Sequence, residues 1–145
     1  MLVDSKKRQL EVEPIIILGA DELGSDLPPA KIYAAVVTEL NQENVTLFKE
    51  GNTLFIVHHI GPREGFFRAI NADTARNYLE NSYTFIQVAH KYGYDILHSH
   101  FENPTVLNIF KAIARNPPFP GMGYSVKEEK GGFAVTLQLG EPREV

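Results

Sequence analysis

A long amphipathic helix pattern between two strand patterns constrains the fold of this chain most strongly. Small and apolar side chains recur at helical spacing along one face, at Ala75, Tyr78, Leu79, Ser82, Ile86 and Ala89. Asp73 or Thr74 can cap the start of this helix, and Gly93 suits its end because glycine readily adopts positive φ. Residues 66–71 and 95–101 have strand composition. A strand–helix–strand unit of this size predicts that the two strands are parallel.

The remaining segments predict further strands and helices around this unit. We expect the following elements: a helix over residues 30–41, strands over 45–48 and 53–59, a helix opened by Asn103-Pro104, and a final hairpin of 124–129 and 133–139. Short polar turns join the early strands into an antiparallel meander with residues 66–71. Residues 1–29 show the least regular pattern, so we expect an irregular N-terminal segment before a core of residues 30–139. The prediction is a single-domain α+β fold in three layers, with a mixed, mainly antiparallel twisted sheet, one parallel crossover pair and flanking helices.

Length, charge and composition exclude several classes of function. A chain of 145 residues has the length of one domain. The 14 Lys and Arg against 18 Asp and Glu give a net charge of −4, so we expect no nucleic-acid partner. The absence of cysteine excludes disulfides, thiolate metal sites and a cysteine nucleophile. The longest aliphatic run, Ile15 to Leu18, is far shorter than the roughly 20 residues of a membrane span. With no signal-peptide pattern, we expect a cytoplasmic protein without a membrane partner.

The predicted element order, together with two local stretches, resembles the GNAT N-acetyltransferase superfamily. The order is helix, three antiparallel strands, long helix, parallel strand, helix and hairpin, over residues 30–139. One stretch is the predicted strand–helix–strand unit, which resembles the acyl-CoA-binding core of that family. The other is Asn103 with Val106, Ile109-Phe110 and Gly123-Tyr124, which resembles the family's Asn…Ala…Leu-Tyr…Gly-Phe segment.

This resemblance implies an acyl-CoA N-acyltransferase fold with acetyl-CoA as the acyl donor and a small amine or protein amine as the acceptor. The family's pattern assigns cofactor binding to positions around the start of the long helix and to the later Asn motif. Acyl-CoA would lie in the cleft between the strands of residues 66–71 and 95–101. Backbone groups from Ile70 to Ala72 would hold the pantetheine arm, and Arg76 and Asn77 would supply phosphate binding. The residues concerned are Ile70, Asn71, Ala72, Arg76, Asn77 and Asn103.

The chain departs from the family pattern at two functional positions. The family's pyrophosphate loop is rich in glycine, which lets backbone N–H groups approach the phosphates at a helix start. The matching residues 71–78 contain no glycine, and Asp73 places a negative charge there. The family's general acid is a tyrosine in the later helix, and Phe110 occupies that position. The resemblance therefore supports the fold more strongly than the reaction.

His98, His100 and Glu102 are the candidate catalytic residues. Side chains two residues apart on a strand share a face, and these lie at the carboxyl end of a predicted parallel strand, where ligands of α/β sheets bind. A histidine there could serve as general base toward an amine, since its pKa lies near neutrality. Two other interpretations stay open: a His-x-His metal pair with Glu102 as third ligand, or two edge histidines without a partner. We expect no metal.

Other polar and aromatic residues have simpler interpretations. His58 and His59 point to opposite faces of a strand and are expected to be strand-end histidines in solvent. The aromatic side chains of the long helix, Tyr78, Tyr83, Phe85 and Tyr92, are expected in or near the core, and the alternative is that they border a ligand groove. The segment 117–120, Pro-Pro-Phe-Pro, is expected to be a rigid connector with an exposed aromatic side chain, and the alternative is a contact with a partner.

Two functional hypotheses follow. The first is an acetyl-CoA-dependent N-acetyltransferase. The second is a catalytically silent protein of the same fold that serves as a binding or structural module, in a phage-encoded version a component of a virion. The residues 71–78 and Phe110 favour the second hypothesis, because fold alone does not imply function. A homo-oligomer or a larger structural assembly is compatible with either.

Overall fold

The computed structural model describes residues 2–4, 15 and 28–140, and these residues form one sheet flanked by helices. The elements in chain order are β1 (Leu2–Asp4), α1 (Pro29–Leu40), β2 (Val45–Glu50), β3 (Thr53–Gly61), β4 (Glu64–Asn71), α2 (Ala75–Tyr92), β5 (Ile96–Phe101), α3 (Pro104–Arg115), β6 (Gly123–Glu129) and β7 (Gly132–Gln138). The strand order across the sheet is β1-β2-β3-β4-β5-β7-β6.

The predicted crossover unit is confirmed. Thr74 caps α2 by accepting a hydrogen bond from the Asn77 N–H at 3.2 Å. Gly93 ends the helix with φ of 123°, a conformation that a side chain would strain. β4 and β5 are parallel, and every other pairing in the sheet is antiparallel. The mixed sheet with one parallel pair is therefore the predicted α+β architecture.

Two features of the sheet were not predicted. β7 lies between β5 and β6, so the final hairpin joins the sheet through its second strand. β1 pairs antiparallel with β2 and adds an edge strand within the segment expected to be irregular. Apart from Leu2–Asp4, Ile15 and Pro28–Pro29, the predicted irregular segment lies outside the described residues.

Each face of the sheet carries its own hydrophobic core. On one face α1 covers the meander, with buried Ile15, Ile32, Val36, Leu40, Val45, Leu47, Leu54, Ile56 and Ile70. On the other face α2 and α3 cover the sheet, and Phe48, Phe55, Phe67, Phe85 and Phe110 are among the buried side chains. The alternation of side chains along β3 and β4 divides these residues between the two faces. The result is a three-layer protein whose sheet is covered on both sides.

The proline-rich connector packs onto the second core. The ring of Phe119 stacks on buried His90 of α2 with centroids 4.5 Å apart. The expectation of an exposed aromatic side chain was therefore wrong: Phe119 is partly buried against the α2–α3 core. Of the aromatic side chains of α2, Phe85 is buried as expected, Tyr78 and Tyr83 pack at the edge of this core, and Tyr92 is exposed.

None of the helices among the described residues is both long and apolar enough to span a membrane.

A substitution at Gly65 tests how tightly β4 packs against Val57 of β3 and Tyr94 in the loop after α2. A methyl group there would lie 2.7 Å from Cγ1 of Val57 and 3.0 Å from Cε1 of Tyr94, both of which are buried. We expect Gly65→Ala to lower the free energy of unfolding by about 1–3 kcal/mol through overpacking. Urea denaturation measures this change. Gly61→Ala is the matched control, because its new methyl group would meet nothing closer than 3.6 Å; equal stability of the two variants would contradict the prediction.

Candidate functional site

The parallel strands β4 and β5 separate after a short ladder and leave a cleft between them. Their pairing covers three residues on each strand and ends at Phe66 opposite His98. One residue further, the hydroxyl of Ser99 donates a hydrogen bond to the carbonyl of Phe67 at 2.8 Å. Beyond this contact lies a cavity of about 510 Å³, lined by Phe67, Arg68, Ala69, Ile70, Asn71, Tyr78, Ser99, His100, Phe101, Glu102, Asn103, Val106 and Phe110.

The separation leaves backbone groups of β4 facing the cleft. The Phe67 carbonyl faces β5, because Ser99 binds it. Backbone groups alternate sides along a strand, so those of Ala69 and Asn71 also face the cleft, whereas those of Ile70 face β3. The N–H of Ala72, the residue after Asn71, donates to the Asn52 carbonyl on the β3 side, as this alternation requires. Beyond the Phe67 carbonyl, which Ser99 binds, the cleft wall is thus a strand edge whose backbone groups at Ala69 and Asn71 have no ladder partner in β5.

The two halves of the cleft differ in polarity. The half on the α2–α3 side is largely apolar, with Phe67, Phe101, Val106 and buried Phe110. The half on the α1 side has the charged and titratable side chains, Arg68, His100 and Glu102. A ligand with an apolar, amide-bearing arm and a polar reacting partner would match this division.

The three predicted catalytic residues do not form one group. His100 and Glu102 line the cleft, but His98 does not. Nε2 of His98 lies 2.6 Å from Oε1 of Glu64, and its Nδ1 lies 3.0 Å from Oγ1 of Thr136. His98 is therefore held outside the cleft, at the last paired position of β4 and β5, whereas His100 lines the cleft and has a loose contact of 3.9 Å with Glu129.

The predicted cofactor-binding residues are divided in the same way. Ile70, Asn71 and Asn103 line the cleft, and Ala72, Arg76 and Asn77 do not. The Asn103 side chain caps α3 by accepting from the Thr105 N–H at 2.9 Å. The Arg76 side chain is 88% exposed and lies 3.7 Å from Glu80 on the same helix.

The departures from the family pattern around Asp73 have a structural explanation. The Asp73 carboxylate accepts hydrogen bonds from the Asn52 N–H and from the side chain of Asn81, both at 2.8 Å. The Asn71 side-chain oxygen accepts from Thr53 and from the Asp73 N–H. These residues hold the start of α2 against the β2–β3 turn. Asp73 therefore has a role in the fold itself.

A three-residue polar cluster beside the cleft was not predicted from the sequence. Glu39 near the end of α1 contacts both His58 of β3 and Arg68 of β4. The distance from Nε2 of His58 to Oε2 of Glu39 is 2.5 Å, and the Arg68 guanidinium donates to the carboxylate through Nε and Nη2. We name this set the Glu39 cluster. Because α1 amphipathicity and strand alternation place all three on one face, the pattern is a signal that sequence reasoning could use.

The Glu39 carboxylate remains ionised despite its burial. Burial by itself would raise the pKa of Glu39, but hydrogen bonds and charges from Arg68 and His58 outweigh this effect and lower the pKa below 4.5.

His58 and His59 point to opposite faces, as predicted. His59 is exposed, as expected, whereas His58 is only partly exposed, and both have polar partners. His58 belongs to the Glu39 cluster. His59 lies 3.0 Å from the Tyr94 hydroxyl and 3.1 Å from that of Thr46. Burial raises the pKa of Tyr94 to about 12, so its hydroxyl keeps its proton.

Within the part of the chain that the structure describes, no three His, Cys, Asp or Glu side chains come together as a metal site would require.

Several solved structures share this fold at low sequence identity. A domain from Methanocaldococcus jannaschii superimposes with a TM-score of 0.59 at 12% identity, covering 95% of this chain and 97% of that one. An aminoglycoside 6'-acetyltransferase type Ii gives 0.59 at 9% identity, with 99% and 100% covered. The ribosomal-protein-S18-alanine N-acetyltransferase of Escherichia coli gives 0.52 at 11% identity, with 99% and 96% covered. No protein-family model and no curated protein matches the sequence. The chain has the GNAT fold that these structures share.

The Glu39 cluster predicts a pH-dependent contribution to stability. Because the folded state lowers the Glu39 pKa, the contribution is complete above pH 4.5 and is lost as the pH falls through the lower pKa of the folded state. We expect Glu39→Gln to be less stable than the wild type by about 1–3 kcal/mol at pH 7, with a gap that narrows below pH 4.5. Urea denaturation between neutral and acidic pH measures the gap. Glu80→Gln, on the exposed face of α2, should show little change, and a constant gap for Glu39→Gln would contradict the prediction.

Proposed function

We propose that this protein transfers an acetyl group from acetyl-CoA to an amine. The observation that carries the proposal is the cleft between β4 and β5, with its unpaired strand edge at Ala69 and Asn71. The similar solved structures that are named acetyltransferases support the same direction, because they share the fold over nearly the whole chain.

The cleft suits the acyl-pantetheine arm of acetyl-CoA. An extended arm with amide groups can pair with an open strand edge as an added strand would. The backbone groups of Ala69 and Asn71 form that edge, and the side chain of Ile70 between them lines the cleft. The apolar half of the cleft, with Phe67, Val106 and Phe110, would exclude water from the thioester.

The site has fewer groups that could bind the phosphates of acetyl-CoA than groups that could bind its pantetheine arm. The start of α2 lacks glycine, and the Thr74 hydroxyl already binds the Asn77 N–H. The Asp73 carboxylate already accepts hydrogen bonds from the Asn52 N–H and the Asn81 side chain. Phosphate binding therefore falls to the exposed side chain of Arg76, with Asn77 beside it.

His100 is the base in this proposal. An acyl-CoA supplies an acyl thioester, whose carbonyl carbon the amine nitrogen attacks as the C–S bond breaks and sulfur leaves as thiolate. His100 takes the proton from the amine nitrogen and can be oriented by Glu129 across their 3.9 Å contact. Phe110 has no proton to give, so the thiolate must take its proton from water. Glu102, at the mouth of the cleft, would attract a cationic acceptor.

A catalytically silent module is the second candidate, because Phe110 replaces the proton donor and the start of α2 lacks the phosphate loop. It predicts that the cleft binds no acyl-CoA, so a binding measurement separates the two functions.

Calorimetry with acetyl-CoA and desulfo-CoA tests whether the cleft binds the donor. We expect the wild type to bind each ligand with a Kd at or below about 1 mM. Val106→Trp should abolish it, because the larger ring fills the apolar half of the cleft. Asn108→Trp, on the exposed side of the same helix, should bind normally. Arg76→Ala should weaken binding while Lys111→Ala should not. The enzyme proposal fails if the wild type binds neither ligand, and that result would favour the silent module.

Thiol release from acetyl-CoA with a panel of primary amines tests the role of His100. The chain has no cysteine, so the protein itself gives no thiol background. We expect His100→Gln to lower kcat by about 100-fold, because an amide cannot take the proton from the amine nitrogen. His98→Gln should lose less than about tenfold, since Glu64 and Thr136 hold that ring outside the cleft. A larger loss in His98→Gln than in His100→Gln would contradict this assignment.

A further inference from the structure

We propose that the α1-side half of the cleft recognises a carboxylate on one of the two reactants through Arg68. This inference rests on the proposed acyl transfer and names a chemical class within it. Arg68 lines the cleft, and its side chain is partly exposed. It lies on β4, the strand that forms one wall, two residues beyond the last β4–β5 pair.

The Glu39 cluster fixes the orientation of Arg68. Glu39 accepts from Nε and Nη2, which is the side-on edge of the guanidinium. Among the described residues Nη1 has no hydrogen-bond partner, and Nη2 has a second hydrogen. These two donors form the end-on edge, which matches the two oxygens of a carboxylate in one plane. The arginine is thus held at one edge and open at the other.

The open edge belongs to a permanently charged group. Arg68 is a cation at any pH at which the protein is folded, and Glu39, 18% exposed, contacts it only through Nε and Nη2. A carboxylate at the end-on edge would therefore receive charge-assisted hydrogen bonds without displacing Glu39.

The position of Arg68 points to a reactant rather than to the phosphates of acetyl-CoA. Arg68 precedes Asn71 by three residues, which is about 10 Å along a strand. The start of α2, where a helix terminus would meet phosphates, is therefore distant. Arg68 instead lies on the same side of the cleft as His100, near the place assigned to proton transfer. The carboxylate could belong to the amine acceptor or to the acyl group.

Matched substrate pairs distinguish these two sources. In one arm, acetyl-CoA is supplied with phenylalanine or with phenethylamine, which lacks the carboxylate. In the other arm, phenethylamine is supplied with acetyl-CoA or with succinyl-CoA. We expect the carboxylate to raise kcat/KM by about tenfold or more in one arm. We also expect Arg68→Gln to remove this preference and Arg115→Gln, on an exposed surface of α3, to retain it.

Further measurements separate failure of this inference from failure of the proposed function. Desulfo-CoA binding by Arg68→Gln reports whether the cleft is intact, and Arg68→Lys is measured beside it because it keeps the charge next to Glu39. Arg68→Lys should retain a weaker preference for the carboxylate-bearing reactant. Glu39→Gln should also weaken this preference, mainly by raising KM for that reactant. Turnover without a carboxylate preference in either arm, or a preference that survives in both Arg68 variants, overturns the inference and leaves the acyl transfer standing. A wild type that binds no acyl-CoA overturns both.

Discussion

The short parallel ladder between β4 and β5 is the constraint on which the rest of the structure depends. It joins the meander to the C-terminal hairpin, and it forms because α2 is long enough to return the chain across the sheet. Its early end is as important as its formation. If the two strands paired along their full length, the edge at Ala69 and Asn71 would be occupied and the chain would have no cleft.

Much of the fold could be predicted because its signals are local. The cap at Thr74, the stop at Gly93 and the Asn103-Pro104 start of α3 each depend on one or two residues and their own backbone. The place of β7 and the end of the β4–β5 ladder could not be predicted in this way. They result from pairing between residues distant in sequence, such as His98 with Thr136, and no local pattern specifies such partners.

The candidate site shows the same division. Strand alternation placed His98 and His100 on one face, but it could not show that Glu64 and Thr136 hold the first while the second reaches the cleft. Helix and strand periodicity can place Glu39, His58 and Arg68 on the same face of the sheet, but their contact depends on how α1 packs over β3 and β4, which periodicity does not specify. Asp73 and Asn71 look like defects in a phosphate loop when only the sequence is considered. In the structure they hold the start of α2 against the β2–β3 turn. Their contribution to the fold therefore explains why these residue types stand where a phosphate loop would have glycine.

The hydrogen bond from Ser99 to the Phe67 carbonyl has a consequence for the thermodynamics of binding. It satisfies the first backbone group that the parting strands would otherwise leave unpaired, and it does so within the protein itself. The Phe67 carbonyl therefore needs no partner from outside the protein, and an extended molecule pairing with Ala69 and Asn71 would break no β4–β5 pairing, because the ladder ends at Phe66. Such a molecule would lose its own conformational freedom without a cost for separating the two strands.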